Sequence, residues 1–342
     1  MPQRCSGPAC FATLEAATLH YVHSMPAHLL LVNLGTTAAP TPEAVRAFLD
    51  EFLSDPAVVD LPRWIWQPIL RTMVLRKRPA RVAAQYASIW TPEGSPLRAE
   101  TERIVARVRA LAQGRCTVSA AYRYGEPSID GEIARLALEG AERVVVVPLF
   151  PQRTDATTGT AFRRAREAAA RAGITSRVRE SVIAADDDGY VRAMAARWRE
   201  ALAAGSAAPE HLVLSYHGIP VRYDRRERGV YVRDCEATTR AFLRAIDWPS
   251  GRATHAYQSK FGPERWLTPS TADVLAGLPR RGVRSVAVIT PGFVTDGLET
   301  IEEIGIRGRE TFTEAGGESL LRVAAVADHE AFAASLVRLA AP

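Results

Sequence analysis

Short apolar runs separated by longer amphipathic stretches set the pattern of this chain. His28 to Leu34, Val144 to Val147, Leu212 to Leu214 and Val286 to Ile289 are runs rich in valine and leucine, the form taken by parallel strands buried on both faces. Between them the spacing predicts helices over Glu100 to Ala112, Ala161 to Ala172 and Val191 to Ala204. Thr41-Pro42-Glu43 opens another, with an N-cap, a proline in the first turn, and Val45, Phe48, Leu49 and Phe52 at helical spacing. Such alternation predicts an α/β fold. The run His28-Leu29-Leu30-Leu31-Val32-Asn33-Leu34-Gly35 is echoed by His211-Leu212-Val213-Leu214-Ser215-Tyr216-His217-Gly218, and Val147-Pro148-Leu149-Phe150 by Thr290-Pro291-Gly292-Phe293. The two spacings differ, so the chain reads as two similar doubly wound, Rossmann-like parallel-sheet units with a cleft between them, not as a strict repeat. Ligands of such sheets bind beyond the carboxyl ends of the strands, and the segments after these four runs are where chemistry is expected.

Length and composition narrow the class. The 342 residues suffice for two domains, and 47% hydrophobic with 24% charged residues is the balance of an ordinary globular protein. The expected division is a weakly patterned extension over 1–24, with Met25 as the native start, an N-terminal α/β domain over 25–170, a C-terminal α/β domain over 171–318 carrying His217 and Glu299, and a terminal segment and helix over 319–342. Cys5, Cys10, Cys116 and Cys235 include no CxxC pair, which fits a cytoplasmic protein without a structural zinc or iron-sulfur site. No run approaches the 18 or so apolar residues that a membrane-spanning helix needs.

Charge matters by position. The net charge is +5, yet Leu61 to Pro92 alone holds Arg63, Arg71, Arg76, Lys77, Arg78 and Arg81 with no acid. The rest of the chain is near neutral, which speaks against diffuse nucleic-acid binding. Trp64, Ile65, Trp66, Ile69, Leu70, Met73, Val74 and Leu75 lie in the same window. Two readings stay open from the residues: an amphipathic core helix with a solvated basic face, or an apolar lip that meets lipid or grips a flat anionic ligand.

No G-x-G-x-x-G after a strand, no P-loop and no H-E-x-x-H occurs. Beyond the strand ends stand Ser215-Tyr216-His217-Gly218-Ile219-Pro220, Gln258-Ser259-Lys260-Phe261-Gly262-Pro263, and Pro291-Gly292-Phe293 leading to Asp296 and Leu298-Glu299-Thr300-Ile301-Glu302-Glu303. His217 ends a buried strand at a tight turn, where an imidazole accepts protons or ligates a metal. At about 100° per residue, Glu299 and Glu303 share a helix face, Asp296 lies nearby, and Glu302 falls off that wall. Acids in a first helical turn also complement the helix dipole, an alternative that spacing leaves open.

Together these segments resemble the ferrochelatases, from about Met25 to Gly317. Leu31-Val32-Asn33-Leu34-Gly35-Thr36, Gln85-Tyr86, Gly94-Ser95-Pro96-Leu97, Arg123-Tyr124-Gly125, Pro148-Leu149-Phe150-Pro151-Gln152 with Thr157-Thr158-Gly159, the histidine turn, Gln258 to Gly262 and Asp296 to Glu303 occur in the family's order. Arg309-Glu310-Thr311-Phe312 and Ala315-Gly316-Gly317 resemble the bacterial branch. The resemblance implies a chelatase-type fold with a porphyrin cleft, and insertion of Fe2+ into protoporphyrin IX with release of two protons, the last step of heme biosynthesis. It implies that His217 takes pyrrole protons, that Glu299 receives protons or presents the metal beside His217, and that Glu303 extends the carboxylate path. It also implies that Leu34, Trp266 and Phe293 pack around the ring, that Arg78, Ser95 and Tyr86 lie near the propionates, and that Arg123, Tyr124 and Asp296 line the pocket. Iron enters as substrate, with no tightly bound cofactor or iron-sulfur cluster. The basic, Trp-rich window matches the family's membrane lip, so peripheral contact to an anionic membrane, at its inner face, is expected; the lack of a cysteine after Cys235 for the iron-sulfur tail of some relatives points to a monomer. Gly297 and Arg307 depart from the family, the latter where some members continue the acidic path. Alternatives are iron insertion into coproporphyrin III, cobalt insertion into sirohydrochlorin, or a heme or porphyrin carrier with His217 as axial ligand. A carrier gives no reason for two carboxylates facing the ring.

Overall fold

The computed structural model describes residues 27–204 and 208–341; the expected start at Met25 and its leading extension lie outside them. The chain opens with β1 (Ala27–Gly35), then α1 (Pro42–Leu53), α2 (Arg63–Ile69), α3 (Leu75–Ala87), α4 (Pro96–Ala112), β2 (Cys116–Tyr124), α5 (Ile129–Leu138), β3 (Val144–Pro148), α6 (Thr160–Arg171), β4 (Val178–Glu180) and α7 (Asp188–Ala204). The second half runs β5 (His211–His217), α8 (Val221–Arg226), α9 (Val230–Ala245), β6 (Ala253–Gln258), α10 (Thr271–Gly277), β7 (Ser285–Ile289), a π-helix (Leu298–Gly308), α11 (Arg309–Glu314), β8 (Ser319–Arg322) and α12 (Glu330–Leu339).

Each half is a four-stranded parallel sheet, ordered β2-β1-β3-β4 and β6-β5-β7-β8. The order reverses between β1 and β3 and between β5 and β7, so each sheet opens its crevice beyond those strand ends. The echo in sequence is therefore an echo in topology. The register pairs His28 with Val144 and His211 with Val286, which places the equivalence of β3 and β7 one residue away from the match between their Pro-Phe motifs.

The valine and leucine side chains of β1, β3, β5 and β7 are almost all fully buried, as expected for strands covered on both faces. One core joins the halves: Leu29, Leu31, Val145 and Val147 share it with Leu212, Leu214, Ala287 and Ile289 through Ile104 and Val108 of α4, Tyr190, Met194 and Trp198 of α7, and Phe332 and Leu336 of α12. Helix α12 packs on both α4 and α7, so the end of the chain closes onto the first half. The outer faces carry separate clusters, under α5 and α6 in the first half and under α10 and α11 in the second. A further cluster, with Val45, Leu49, Trp66, Leu70, Leu75, Val82 and Tyr86, forms the lip from α1, α2 and α3. In this lip Trp66 and Leu70 are buried, while Trp64 is 79% and Met73 60% exposed.

Candidate active site

His217 closes β5 at the crevice. Its Nδ1 lies 2.7 Å from the Gly218 carbonyl, which fixes that nitrogen as the N–H donor and leaves Nε2 with the lone pair. Its own carbonyl accepts a 2.6 Å hydrogen bond from the buried Tyr231 hydroxyl. The turn is tight because Gly218 donates its N–H to the Gln258 carbonyl at 2.8 Å, and a Cβ at Gly218 would lie 2.7 Å from that carbonyl and 3.2 Å from the Trp266 ring. Trp266 thus packs on the histidine turn, with its Nε1 buried and unpartnered among the described residues. Phe293, after β7, places its ring 6.3 Å from the imidazole.

The carboxylates stand on the π-helix. Its i→i+5 ladder advances the chain by roughly 80° per residue, so the α-helical angles expected from sequence do not hold there. Glu299 and Glu303 still share a face, roughly 35° apart. Gln258 links them: its Oε1 accepts from Ser215 at 2.6 Å, and its Nε2 donates to the Glu299 carbonyl at 2.6 Å and reaches the Glu303 carboxylate at 3.5 Å. Ser259 holds Glu303 through its backbone N–H at 2.8 Å and its hydroxyl at 2.6 Å. The Glu299 side chain has no hydrogen-bond partner among the described residues. Burial raises its pKa above the ordinary carboxylate value, a positive charge on His217 when that ring is protonated pulls against the rise, and Glu303 and Glu302 add to it. A base with a free nitrogen and an unpaired, proton-hungry carboxyl are therefore electrostatic neighbours.

The other expected residues differ in their surroundings. Leu34 lies at the end of β1, half-buried. Tyr86 is buried in the lip cluster, where Leu298 and Ile301 of the π-helix also pack, and its phenol pKa is raised by burial and further by Glu299. Ser95 is buried and bonded to the Thr36 hydroxyl at 2.9 Å. Arg78 is half-buried, its guanidinium 4.6 Å from the Phe261 ring centroid and its Nε unpartnered among the described residues. A half-buried guanidinium with no carboxylate partner among the described residues is a ready anion site.

Three residues are occupied otherwise. Arg123 and Tyr124 both bond Asp55, whose carboxylate also accepts from Thr160 at 2.8 Å and the Ala57 N–H at 2.8 Å. They tie the lip's base to β2 and α6 instead of standing free to meet a ligand. Asp296, 5% exposed, does not line a wall with Glu299: it is paired with Arg322 at 2.8 Å and accepts from the Thr300 hydroxyl at 2.7 Å, just before the π-helix begins. Its N–H donates to Glu100 at 2.6 Å, and burial with the Asp296 charge pushes the Glu100 carboxyl up to about 7. Glu302, placed off the wall by sequence, is not a free surface acid either, being buried and held by Arg307 and Gln85. Gln258, Ser259, Asp55 and Glu100 are positioning residues that the sequence alone leaves unassigned. The first two stand in the Gln258 to Gly262 motif; nothing in the local pattern marks the others.

The ferrochelatase family model matches residues 27–342. The chain belongs to the ferrochelatase family. It is 41% identical over 306 residues to Ferrochelatase 1 of Shewanella oneidensis, covering 88% of this chain and 91% of that protein. It is also 41% identical over 302 residues to a ferrochelatase of Edwardsiella ictaluri, covering 88% and 93%. Among solved structures, a sirohydrochlorin chelatase from Bacillus subtilis with cobalt aligns over 92% of this chain and 94% of its own at a TM-score of 0.54 and 13% identity, a likeness of fold alone. This ferrochelatase is an enzyme of heme synthesis that inserts iron into a porphyrin.

Proposed function

We propose that the ring is protoporphyrin IX, held between Leu34 on one side and Trp266 and Phe293 on the other, and that His217 and Glu299 carry the chemistry. The observation that carries this reading is the free Nε2 of His217 together with a Glu299 carboxyl that has no hydrogen-bond partner among the described residues and feels the charge state of His217. For one Fe2+ to enter, two pyrrole N–H bonds must break and two protons must leave. Nε2 takes one proton from a pyrrole nitrogen, the imidazolium so formed passes it to Glu299, whose raised pKa suits a temporary acceptor, and once Glu299 has released it outward the regenerated Nε2 takes the second by the same route. Glu303, held by Ser259, continues the path outward and offers a second oxygen ligand site to the incoming ion. The imidazole and Glu299 steady the iron's charge during entry. Arg78, with the Ser95 and Tyr86 hydroxyls that meet at Thr36, receives the propionates.

The lip is part of the same proposal. Trp64, Ile65, Ile69 and Met73 are exposed along one continuous helical stretch beside Arg63, Arg71, Arg76 and Lys77, a surface suited to anionic lipid. A porphyrin that partitions into membranes would enter the cleft there.

The test is His217→Ala, assayed for iron insertion and, separately, for porphyrin binding by quenching of tryptophan fluorescence. Turnover falls at least about a thousandfold while affinity changes about threefold or less, because affinity rests on the apolar walls and Arg78. Retained turnover refutes the assignment.

A further inference from the structure

Glu302 and Arg307 are five residues apart on the π-helix, and they form a bidentate pair: Arg307 Nε lies 2.9 and 3.0 Å from the two Glu302 oxygens, and its terminal nitrogen 2.8 Å from one of them. On an α-helix residues five apart sit roughly 140° around the axis from each other. On a π-helix they sit roughly 50° apart and one turn along, in reach. The pair is thus compatible with one helical winding and not the other. Glu302 also accepts from Gln85 of α3 at 3.0 Å, and Leu298 and Ile301 pack into the lip cluster on the same side.

We propose that Gln85, Glu302 and Arg307 form a clamp that locks the helix in its π winding and fixes it to the lip, so that Arg307 and Gln85 are positioning residues for Glu299 and Glu303. The 11 residues of this π-helix are far more than the usual single turn, and a wide helix of that length needs tertiary restraint to resist relaxing to α. Rewinding to α would swing Glu303 roughly 70° about the axis relative to Glu299 and carry it away from Ser259. Burial of Glu302 makes the clamp demanding: its carboxylate is satisfied by three nitrogen donors and has little access to water. Arginine at 307, where the resemblance led one to look for a further acid, therefore serves geometry and not the carboxylate path. The same clamp gives the lip a rigid connection to the carboxylate-bearing helix, because Gln85 holds Glu302 while its neighbour Tyr86 on α3 lies in the cluster against which Leu298 and Ile301 pack.

The clamp matters for turnover only if Glu299 and Glu303 are the reacting carboxylates, and the experiment separates the two claims. Wild type, Arg307→Leu, Arg307→Lys, Gln85→Leu and Glu299→Gln are compared by steady-state iron insertion and by hydrogen exchange of the backbone amides, at a temperature where all remain folded. For Arg307→Leu, kcat drops about tenfold or more with the porphyrin KM within about twofold, and amides of residues 298–308 exchange about tenfold faster while the sheets keep their protection. Gln85→Leu shows the same signature more weakly. Arg307→Lys recovers part of it, since an ammonium keeps the charge and loses the fork. An Arg307→Leu enzyme with wild-type kcat overturns the proposal, whether or not its exchange changes. A loss of protection spread over both sheets also overturns it, as that signals general destabilisation. If Glu299→Gln retains turnover, the underlying assignment of the carboxylate fails, whatever the clamp variants do.

Discussion

Leu34 and His217 stand at the ends of β1 and β5, at equivalent points of two sheets with the same strand order. Asn33 and Tyr216 precede them, and a glycine comes next in each case. One half thus presents a methyl-bearing wall where the other presents a base. The difference in support is as clear. In the first half Asn33 turns inward, accepting from the Leu34 N–H at 2.8 Å and donating to Thr101 and Thr295. In the second, Tyr231, Gly218 and Gln258 all serve the histidine turn. A doubled fold supplies two crevices, and under the proposed function one serves as wall and the other carries the base, so that a flat ring is held and deprotonated at once.

The glycines after Leu34 and His217 sharpen this comparison most strongly. Gly35 has φ +106°, and a Cβ there would fall inside the carbonyl group of Tyr124 on β2. Gly35→Ala is expected to cost about 3–4 kcal/mol or to prevent folding, read by urea denaturation. Gly218→Ala, with a milder 2.7 Å approach to Gln258, costs about 1–2 kcal/mol and lowers turnover more than stability, because the turn it distorts carries the base. Equal, purely structural losses at both positions would break the proposed division of labour.

A smaller effect concerns the lip, which belongs to the first half alone. Charge reversal of Arg76 and Lys77 to Glu weakens binding to vesicles containing phosphatidylserine at low salt, by about 1 kcal/mol per residue. Insertion of iron into a water-soluble porphyrin stays unchanged, as both side chains are exposed and neither forms a hydrogen bond or ion pair among the described residues. Unchanged vesicle binding would return the lip to an ordinary amphipathic helix surface.

The buried strands are legible in sequence where valine and leucine run unbroken, as in β1, β3, β5 and β7. Strands β2 and β6 are not, because Cys116–Tyr124 and Ala253–Gln258 are small, polar and aromatic residues without a continuous apolar run; they are edge strands, and one face of each meets solvent or polar side chains. His217, Glu299 and Glu303 stand out in the sequence because a doubly wound fold directs the search for chemistry to the segments after strand ends. The environment of those residues does not. A helical wheel at 100° per residue cannot show that the wall is π-helical, that Asp296 is taken up by Arg322 and Thr300, or that Glu302 is engaged by Arg307. Arg123 and Tyr124 look like pocket residues by motif, yet Asp55, some 70 residues earlier, claims both. Pairings between distant segments carry no local periodicity, which is why they emerged only from the folded chain.

If protons leave the ring through His217 to Glu299, the pH dependence of kcat in wild type, Glu299→Gln and Glu303→Gln shows it most directly. Because burial raises the Glu299 pKa, wild-type kcat rises with pH through a limb above the ordinary carboxyl range, where Glu299 loses its proton and becomes able to accept. Glu299→Gln lowers kcat about a hundredfold and removes that limb, whereas Glu303→Gln keeps the limb and loses about tenfold. A Glu299→Gln enzyme that retains wild-type kcat and the same acid limb would contradict the account.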